Sequence, residues 1–145
     1  MEKIALITGA SRGIGRATAR RLAHEGYTVA VNYHVRKDCA DSLVEELTAE
    51  GLRAAAFQAD VADRAQVEDM VRRVEDTFGP VSLLVNNAGV AHHTETRAYG
   101  DDDLERLIAT NLAQVFRFSR AALARMVPQG SGVICDIGSI SGIVS

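Results

Sequence analysis

The stretch Thr8-Gly9-Ala10-Ser11-Arg12-Gly13-Ile14-Gly15 decides the fold. It follows the short apolar run Ile4–Ile7 and opens a segment of helical period, so it is predicted to be the turn from a buried strand into a helix. Glycines allow a tight turn and a close approach to phosphate, and the start of a helix offers free N–H groups and the positive end of its dipole. The alternative is a tight turn without a ligand, which three glycines in this context make the weaker interpretation. The stretch therefore predicts a site for a dinucleotide pyrophosphate.

The rest of the chain alternates short apolar runs with longer segments of helical period. The further predicted strands are Val29–Val31, Ala54–Phe57, Leu83–Val85 and Val133–Ile137. Buried strands joined by helices indicate a parallel sheet with helices on both faces, and the right-handed crossover rule favours a doubly wound, Rossmann-type sheet. No linker interrupts the pattern, so residues 1–145 are predicted to form one nucleotide-binding domain of the α/β class.

Apolar side chains spaced by three and four residues mark the buried faces of two helices. These faces are Ala40, Leu43, Val44 and Leu47 in one helix and Val67, Met70, Val71, Val74 and Phe78 in the other. Asp63 and Asp101 are predicted N-caps, and Gly26, Gly51 and Gly79 are predicted to end helices.

Composition excludes several classes of protein. The chain has 145 residues, 47% hydrophobic residues and a formal net charge of −3, which fits one globular domain and argues against a disordered or nucleic-acid-binding chain. No apolar run approaches the roughly 20 residues of a membrane span, and the N-terminus lacks a signal peptide, so a cytoplasmic location is expected.

Cys39 and Cys135 do not suggest a disulfide framework. Cys135 is predicted to be a small buried residue, and Cys39 to be at the surface or half-buried.

Five motifs in order resemble the classical short-chain dehydrogenase/reductase family, and together they span essentially the whole chain. They are the loop Thr8 to Gly15 with its G-x-x-x-G-x-G spacing, Asp60-Val61 after the third strand, Asn86-Asn87-Ala88-Gly89 after the fourth strand, Asn111 in the following helix, and the serine segment Ile137-Gly138-Ser139-Ile140-Ser141-Gly142.

The resemblance implies hydride transfer between a nicotinamide cofactor and a carbonyl or alcohol carbon. Within the family, the chain most resembles the members that reduce 3-oxoacyl thioesters, which makes such a thioester a candidate substrate. The implied cofactor-binding residues are Thr8, Gly9, Ser11, Arg12, Gly13, Ile14, Gly15, Asp60, Val61, Asn87, Ala88 and Gly89, and the implied catalytic residues are Ser139 and Asn111.

Each of these assignments has a purely structural alternative. Asn86 and Asn87 would cap a strand end, and Asp60 would begin an ordinary turn. Asn111 interrupts an apolar stripe, so a buried amide paired with a partner or a water is expected there. Ser141 competes with Ser139, although the spacing to Gly142 favours Ser139.

The residues after the second strand favour NADP over NAD. Rossmann proteins that use NAD often place an acid there for the ribose 2′-hydroxyl, whereas this chain has Tyr33 and no acid before Asp38. Arg12, Arg36 and Lys37 are candidate partners of a 2′-phosphate. The alternative is that these cations are solvated surface residues.

The family's tyrosine–lysine pair, which exchanges a proton with the substrate, is not found after Ser139. Tyr33 and Lys37 have the Tyr-x-x-x-Lys spacing, but they follow the second strand, where the adenosine ribose is expected. We therefore interpret this match as coincidence and the chain as the front part of a longer enzyme, cut after the fifth strand and inactive alone. The alternative is a non-catalytic nucleotide-binding or interaction module produced by truncation.

The helix around Leu104–Met126 has apolar residues on more than one face, including Phe116, Phe118 and Leu123. This pattern predicts a homo-oligomer or a missing covering helix.

His92 and His93 lack the further ligands of a metal site, so no metal is expected. The expected partners are a small carbonyl or alcohol substrate and copies of this chain, with neither nucleic acid nor membrane.

Overall fold

The fold is a twisted parallel sheet with helices on both faces, described by a computed structural model of residues 2–91 and 95–140. In these residues, five strands pair in parallel. They are β1 (Ile4–Ile7), β2 (Thr28–Tyr33), β3 (Ala54–Gln58), β4 (Leu83–Asn86) and β5 (Val133–Asp136). The spatial order is β3-β2-β1-β4-β5, so the chain reverses direction across the sheet between β3 and β4. This confirms the predicted doubly wound, Rossmann-type sheet.

The connections between strands are helical. Their bounds are α1 (Gly13–His24), α2 (Lys37–Ala49), α3 (Arg64–Phe78), α4 (Asp101–Ile108) and α5 (Gln114–Gln129), with a 3₁₀ turn at Thr96–Ala98 and a π-helical segment at Ala109–Ala113. Helices α1 and α2 contact each other on one face of the sheet, and α3 and α5 contact each other on the other face.

The core is divided by the sheet into two layers, because successive side chains of a strand point to opposite faces. In β1, Ile4 and Leu6 join the layer under α3 and α5, whereas Ala5 and Ile7 join the layer under α1 and α2. All four are at most 1% exposed, as expected for a central strand covered on both faces. The predicted apolar faces of α2 and α3 are confirmed, since they supply core residues to these layers.

The long helix predicted around Leu104–Met126 is interrupted. The π-helical segment Ala109–Ala113 separates α4 from α5. Thr110 in this segment and Gln114, the first residue of α5, are buried, while Asn111 lies at the surface. Segments of this kind occur often at functional sites.

One of the two predicted N-caps is confirmed. The Asp63 carboxylate accepts hydrogen bonds from the backbone N–H groups of Ala65 and Gln66 at 2.8 and 3.2 Å. Asp101 is instead the first residue of α4, and the N-cap is Gly100. There, Asp103 accepts from the Gly100 N–H at 3.3 Å, so the acid that bonds to the start of this helix lies two residues later than predicted.

We expect Asp63→Ala to lower the free energy of unfolding by about 1 kcal/mol, because the first turn of α3 then loses its side-chain acceptor. Asp101→Ala is the matched control, which loses only attraction to the helix dipole, about 0.3 kcal/mol. Urea unfolding followed by circular dichroism measures both changes. Equal losses in the two variants would contradict the assignment of Asp63 as the cap.

The prediction that Cys135 is buried is wrong, and Cys39 is half-buried, as expected. Cys135 pairs in register with Val85, on the face of the sheet that α1 and α2 cover. Those helices lie over β1, β2 and β3, and within the described residues nothing covers this face of the edge strand β5. Val133, on the same face, is 58% exposed.

Apolar side chains lie exposed along α4, the π-helical segment and α5. We call these residues the apolar helix face: Leu104, Ile108, Leu112, Phe116, Leu123 and Val127, which are 45–71% exposed. Several exposed large apolar side chains along one run of helix often mark an interaction surface. Among the residues that the structure describes, no helix has the length and apolar character needed to cross a membrane.

Candidate cofactor site

A cavity of about 410 Å³ lies at the carboxyl ends of the strands, beside the point where the strand order reverses. The loops that follow β1, β2, β3 and β4 form its walls, and Arg106 of α4 and Thr110 of the π-helical segment complete them. Parallel sheets bind ligands at this position because the loops on either side of the reversal separate and leave a crevice.

The glycine loop forms one wall, and two of its glycines have a left-handed backbone, with φ of 62° at Gly9 and 57° at Gly13. A Cβ on Gly15 would lie 2.5 Å from Asn87 Nδ2 and 2.6 Å from the Gly9 carbonyl oxygen, so no side chain fits there. Within the described residues, no side chain caps the N-terminus of α1. The free N–H groups of its first turn are therefore available to an anion in the cavity.

Thr8 and Asn87 join the glycine loop to the loop after β4. The Thr8 hydroxyl accepts hydrogen bonds from the N–H groups of Asn87 and Ala88 at 3.0 and 2.9 Å. The Asn87 amide donates to the carbonyls of Thr8 and Gly9 at 2.9 and 3.2 Å. Thr8 is fully buried, so it lies beneath the cavity and supports its walls.

Asn32, in β2, holds the other side of the glycine loop. Its side-chain oxygen accepts from the Gly9 N–H at 3.0 Å, and its own carbonyl accepts from the Ala10 N–H at 2.8 Å. Its amide nitrogen lies 3.3 Å from the carbonyls of Phe57 and Ala59. A polar side chain in an otherwise apolar strand was the available signal, because a buried amide needs partners.

The three predicted 2′-phosphate cations lie in different surroundings. Arg12 is exposed on the cavity wall and, within the described residues, has no ion-pair partner. Arg36 also lines the cavity but pairs with Asp38 through contacts of 3.0 and 2.7 Å, which raise the pKa of Arg36 and lower that of Asp38. Lys37 pairs with Asp41 and does not line the cavity. Arg12 is thus the cation best placed to meet an anionic ligand.

Tyr33 lines the cavity beside these cations, but it is only 6% exposed and belongs to the core under α1 and α2. A carboxylate placed at this position would be buried, at a high desolvation cost.

Asp60 follows β3 and is held from two sides. One carboxylate oxygen accepts from the Ala62 N–H at 3.0 Å, and the other accepts from Arg106 at 2.7 Å, with His34 Nε2 3.8 Å away. Partial burial raises the pKa of Asp60, but the Arg106 and Ala62 hydrogen bonds and the nearby His34 outweigh it, so the pKa is lowered overall. Val61, which is 7% exposed, supplies an apolar surface next to it.

Asn111 and Ser139 do not line the cavity. Asn111, in the π-helical segment, is exposed, contrary to the expected buried amide. Both polar atoms of its side-chain amide are nevertheless hydrogen-bonded. The oxygen accepts from the Val90 N–H and the nitrogen donates to the Val90 carbonyl, each at 2.8 Å. Ser139 is exposed beyond the end of β5.

Asn86 acts within the sheet rather than in the cavity. Its amide donates to the Asp136 carboxylate at 2.8 Å and to the Ser119 hydroxyl at 3.3 Å, which ties β4 to β5 and to α5. Asn86 therefore bonds to β5 and α5 and does not line the cavity. Ser141, His92 and His93 lie outside the described residues.

A family model described as short chain dehydrogenase matches residues 3–145. The chain belongs to the short-chain dehydrogenase family. This agrees with the sheet order and with a cavity formed where the family's glycine loop and N-N-A-G motif meet.

Three relatives illustrate the breadth of the short-chain dehydrogenase family. The chain is 44% identical over 144 residues to the 3-oxoacyl-(acyl-carrier-protein) reductase FabG of Staphylococcus aureus, a match covering 99% of this chain and 58% of that protein. It is 41% identical over 138 residues to the 2,3-dihydro-2,3-dihydroxybenzoate dehydrogenase of Bacillus subtilis, covering 94% of this chain and 52% of that protein. A blue fluorescent protein from a metagenomic library, solved in complex with NADPH, has a TM-score of 0.88 and 45% identity and covers 94% of this chain and 56% of its own. The chain thus spans little more than half the length of these relatives.

The short-chain dehydrogenase motifs are mostly brought together by the structure. Twelve predicted residues line the cavity: Gly9, Ser11, Arg12, Gly13, Ile14, Tyr33, Arg36, Asp60, Val61, Asn87, Ala88 and Gly89. Thr8 and Gly15 support the walls from behind. Asn32, His34, Arg106 and Thr110 also line the cavity, and none of them was among the predicted site residues. Thr110 is 4% exposed, and its hydroxyl has no hydrogen-bond partner among the described residues.

Proposed function

We propose that residues 1–145 form the NADP(H)-binding domain of a short-chain dehydrogenase that transfers hydride between NADPH and a carbonyl or alcohol carbon. The observation that carries this proposal is Arg12 on the cavity wall, which has no ion-pair partner among the described residues, beside a helix N-terminus that no described side chain caps. Both features attract phosphate, and the residues after β2 supply no free acid to select NAD.

The cavity's residues fit such a cofactor. The glycine loop leaves room for a backbone-bound pyrophosphate, because Gly13 has no atom within 4 Å of a Cβ position. Arg12 and Arg36 would meet the 2′-phosphate, and Asp60 with Val61 the adenine. Asn87, Ala88 and Gly89 would border the ribose and nicotinamide, near the Thr110 hydroxyl, which has no hydrogen-bond partner within residues 2–91 and 95–140. When bound, NADPH supplies the hydride, and these residues hold and orient it.

For the reaction itself, we propose that Ser139 orients the substrate carbonyl and that Asn111 supports a proton-relay water through the backbone of Val90. A 3-oxoacyl thioester is the first candidate substrate, in view of the S. aureus relative. The family's proton-transferring Tyr-x-x-x-Lys pair is absent from these residues at the required place. We therefore expect them to bind the cofactor without reducing a carbonyl compound.

The same proposal includes a homo-oligomer in the cytoplasm. The apolar helix face supports it, since six exposed apolar side chains on neighbouring turns are the kind of surface that subunits bury against each other. Nucleic acid is not an expected partner, because the net charge is −3.

Titration of the 145-residue chain with NADPH, followed by the cofactor's own fluorescence, tests the binding claim. We expect saturable binding, tighter than that of NADH, and no oxidation of NADPH when a 3-oxoacyl thioester is added. Absence of NADPH binding would refute the proposed function, and turnover would refute the need for the missing pair. Binding without turnover, followed by activity in a longer chain that contains the pair, would exclude the non-catalytic module.

A further inference from the structure

Arg106 reaches the cofactor cavity from α4, away from the loops that carry the family's motifs. Its guanidinium lies 2.7 Å from a carboxylate oxygen of Asp60, a residue 46 positions earlier in the chain. Both residues line the cavity. The Asp60 side chain is 15% exposed and that of Arg106 is 42% exposed, so the pair lies at the boundary between the protein and the cavity.

The hydrogen bonds of Asp60 leave it able to accept another donor. A carboxylate has about four acceptor positions on its two oxygens, and Ala62 N–H and Arg106 use one on each oxygen. Held at both oxygens, the group cannot rotate freely. A fixed, charged carboxylate on a cavity wall is suited to recognise an N–H donor of a ligand.

We propose that Arg106 is a positioning residue for adenine recognition: it holds the Asp60 carboxylate oriented to accept a hydrogen bond from the 6-amino group of the NADPH adenine. This inference rests on the proposed function, because it requires NADPH in the cavity. Arg106 itself contacts Asp60 and acts through it.

A second arginine shows what a purely structural role at the same loop would be. Arg117 of α5 donates to the Ala62 carbonyl at 2.8 Å, so it also ties the loop after β3 to the helices. It does not contact Asp60 within the described residues. If Arg106 only anchored this loop, loss of Arg117 would affect cofactor binding in the same manner. Arg117→Ala is therefore the matched control.

The test compares NADPH with its hypoxanthine analogue, in which oxygen replaces the adenine 6-amino group. Equilibrium titrations of the 145-residue chain give a dissociation constant for each compound, and their ratio measures recognition of the amino group. One hydrogen bond to a charged acceptor predicts a preference of about tenfold for NADPH in the unmodified chain. Arg106→Ala is expected to reduce this preference to about twofold, and Arg106→Lys to restore part of it.

Arg117→Ala is expected to keep the tenfold preference, whatever its effect on stability. In an Asp60→Ala background, Arg106→Ala should cause no further loss of preference, since the carboxylate it positions is gone. Arg106→Lys keeps the test decisive even if Arg106→Ala unfolds the chain, as a thermal melt would show, because its preference is expected to lie between about twofold and tenfold.

The inference is wrong if Arg106→Ala and Arg106→Lys weaken both compounds equally, or if Arg117→Ala lowers the preference as much as Arg106→Ala does. Failure of the unmodified chain to bind either compound is a different result. It would refute the proposed function and, with it, this inference.

Discussion

Gly15→Ala is expected to abolish NADPH binding and to lower the free energy of unfolding by about 2 kcal/mol. In an ordinary helix interior this exchange stabilises a protein by about 0.5–1 kcal/mol, because glycine loses more backbone entropy on folding. Here the sign reverses, since the new Cβ would lie 2.5 Å from Asn87 Nδ2 and 2.6 Å from the Gly9 carbonyl oxygen. The clash separates the glycine loop from the loop after β4, and both loops form the cavity.

Urea unfolding and NADPH titration of the variant measure the two effects. Gly138→Ala is the matched control for stability, because its Cβ would have no atom of the described residues within 4 Å, and its unfolding free energy should stay within about 0.5 kcal/mol of the unmodified chain. A Gly15→Ala variant that is as stable as the unmodified chain and still binds NADPH would show that the two loops are not packed as described.

Arg12→Ala is expected to weaken NADPH binding by 10- to 100-fold, an estimate of about 1.5–3 kcal/mol for a charge-assisted contact, while NADH binding changes little. The reason is that NADPH carries the 2′-phosphate and NADH does not. Arg12 is available for this contact because it lines the cavity and, among the described residues, has no competing acid.

Fluorescence titrations with both cofactors measure this selectivity. Arg72→Ala is the matched control, since it removes an exposed arginine that pairs with Asp69 on α3, remote from the cavity lining. It should leave the ratio of the two dissociation constants unchanged. Equal weakening of NADPH and NADH by Arg12→Ala would assign Arg12 to the pyrophosphate, and no weakening would remove it from the site.

Much of the fold could be predicted from local patterns. The strands and the buried faces of α2 and α3 follow from short-range periodicity, which depends on residues a few positions apart. The glycine loop was predictable for the same reason, as its glycines and the adjacent strand are contiguous in sequence. The twelve predicted residues that line the cavity lie in such contiguous motifs.

What could not be predicted depends on residues that are distant in sequence. Asn32 contacts Gly9 across 23 positions, and Arg106 contacts Asp60 across 46, and neither pair has a local signature. The exposure of Cys135 depends on where α1 and α2 end over the sheet, rather than on the apolar run that contains it. The π-helical segment was missed because the apolar spacing around Asn111 continues through it, although one turn is wider.

The most direct test of the cofactor site is a titration of the ¹⁵N-labelled chain with NADPH, followed residue by residue in ¹H–¹⁵N spectra. If NADPH occupies this cavity, the amide signals of Gly9, Gly13, Asp60 and Ala88 should shift together and saturate with one dissociation constant. Signals from the exposed side of α3, such as Arg72, should not move. No shift in the glycine loop at saturating NADPH, or shifts confined to residues outside the cavity, would contradict the assignment.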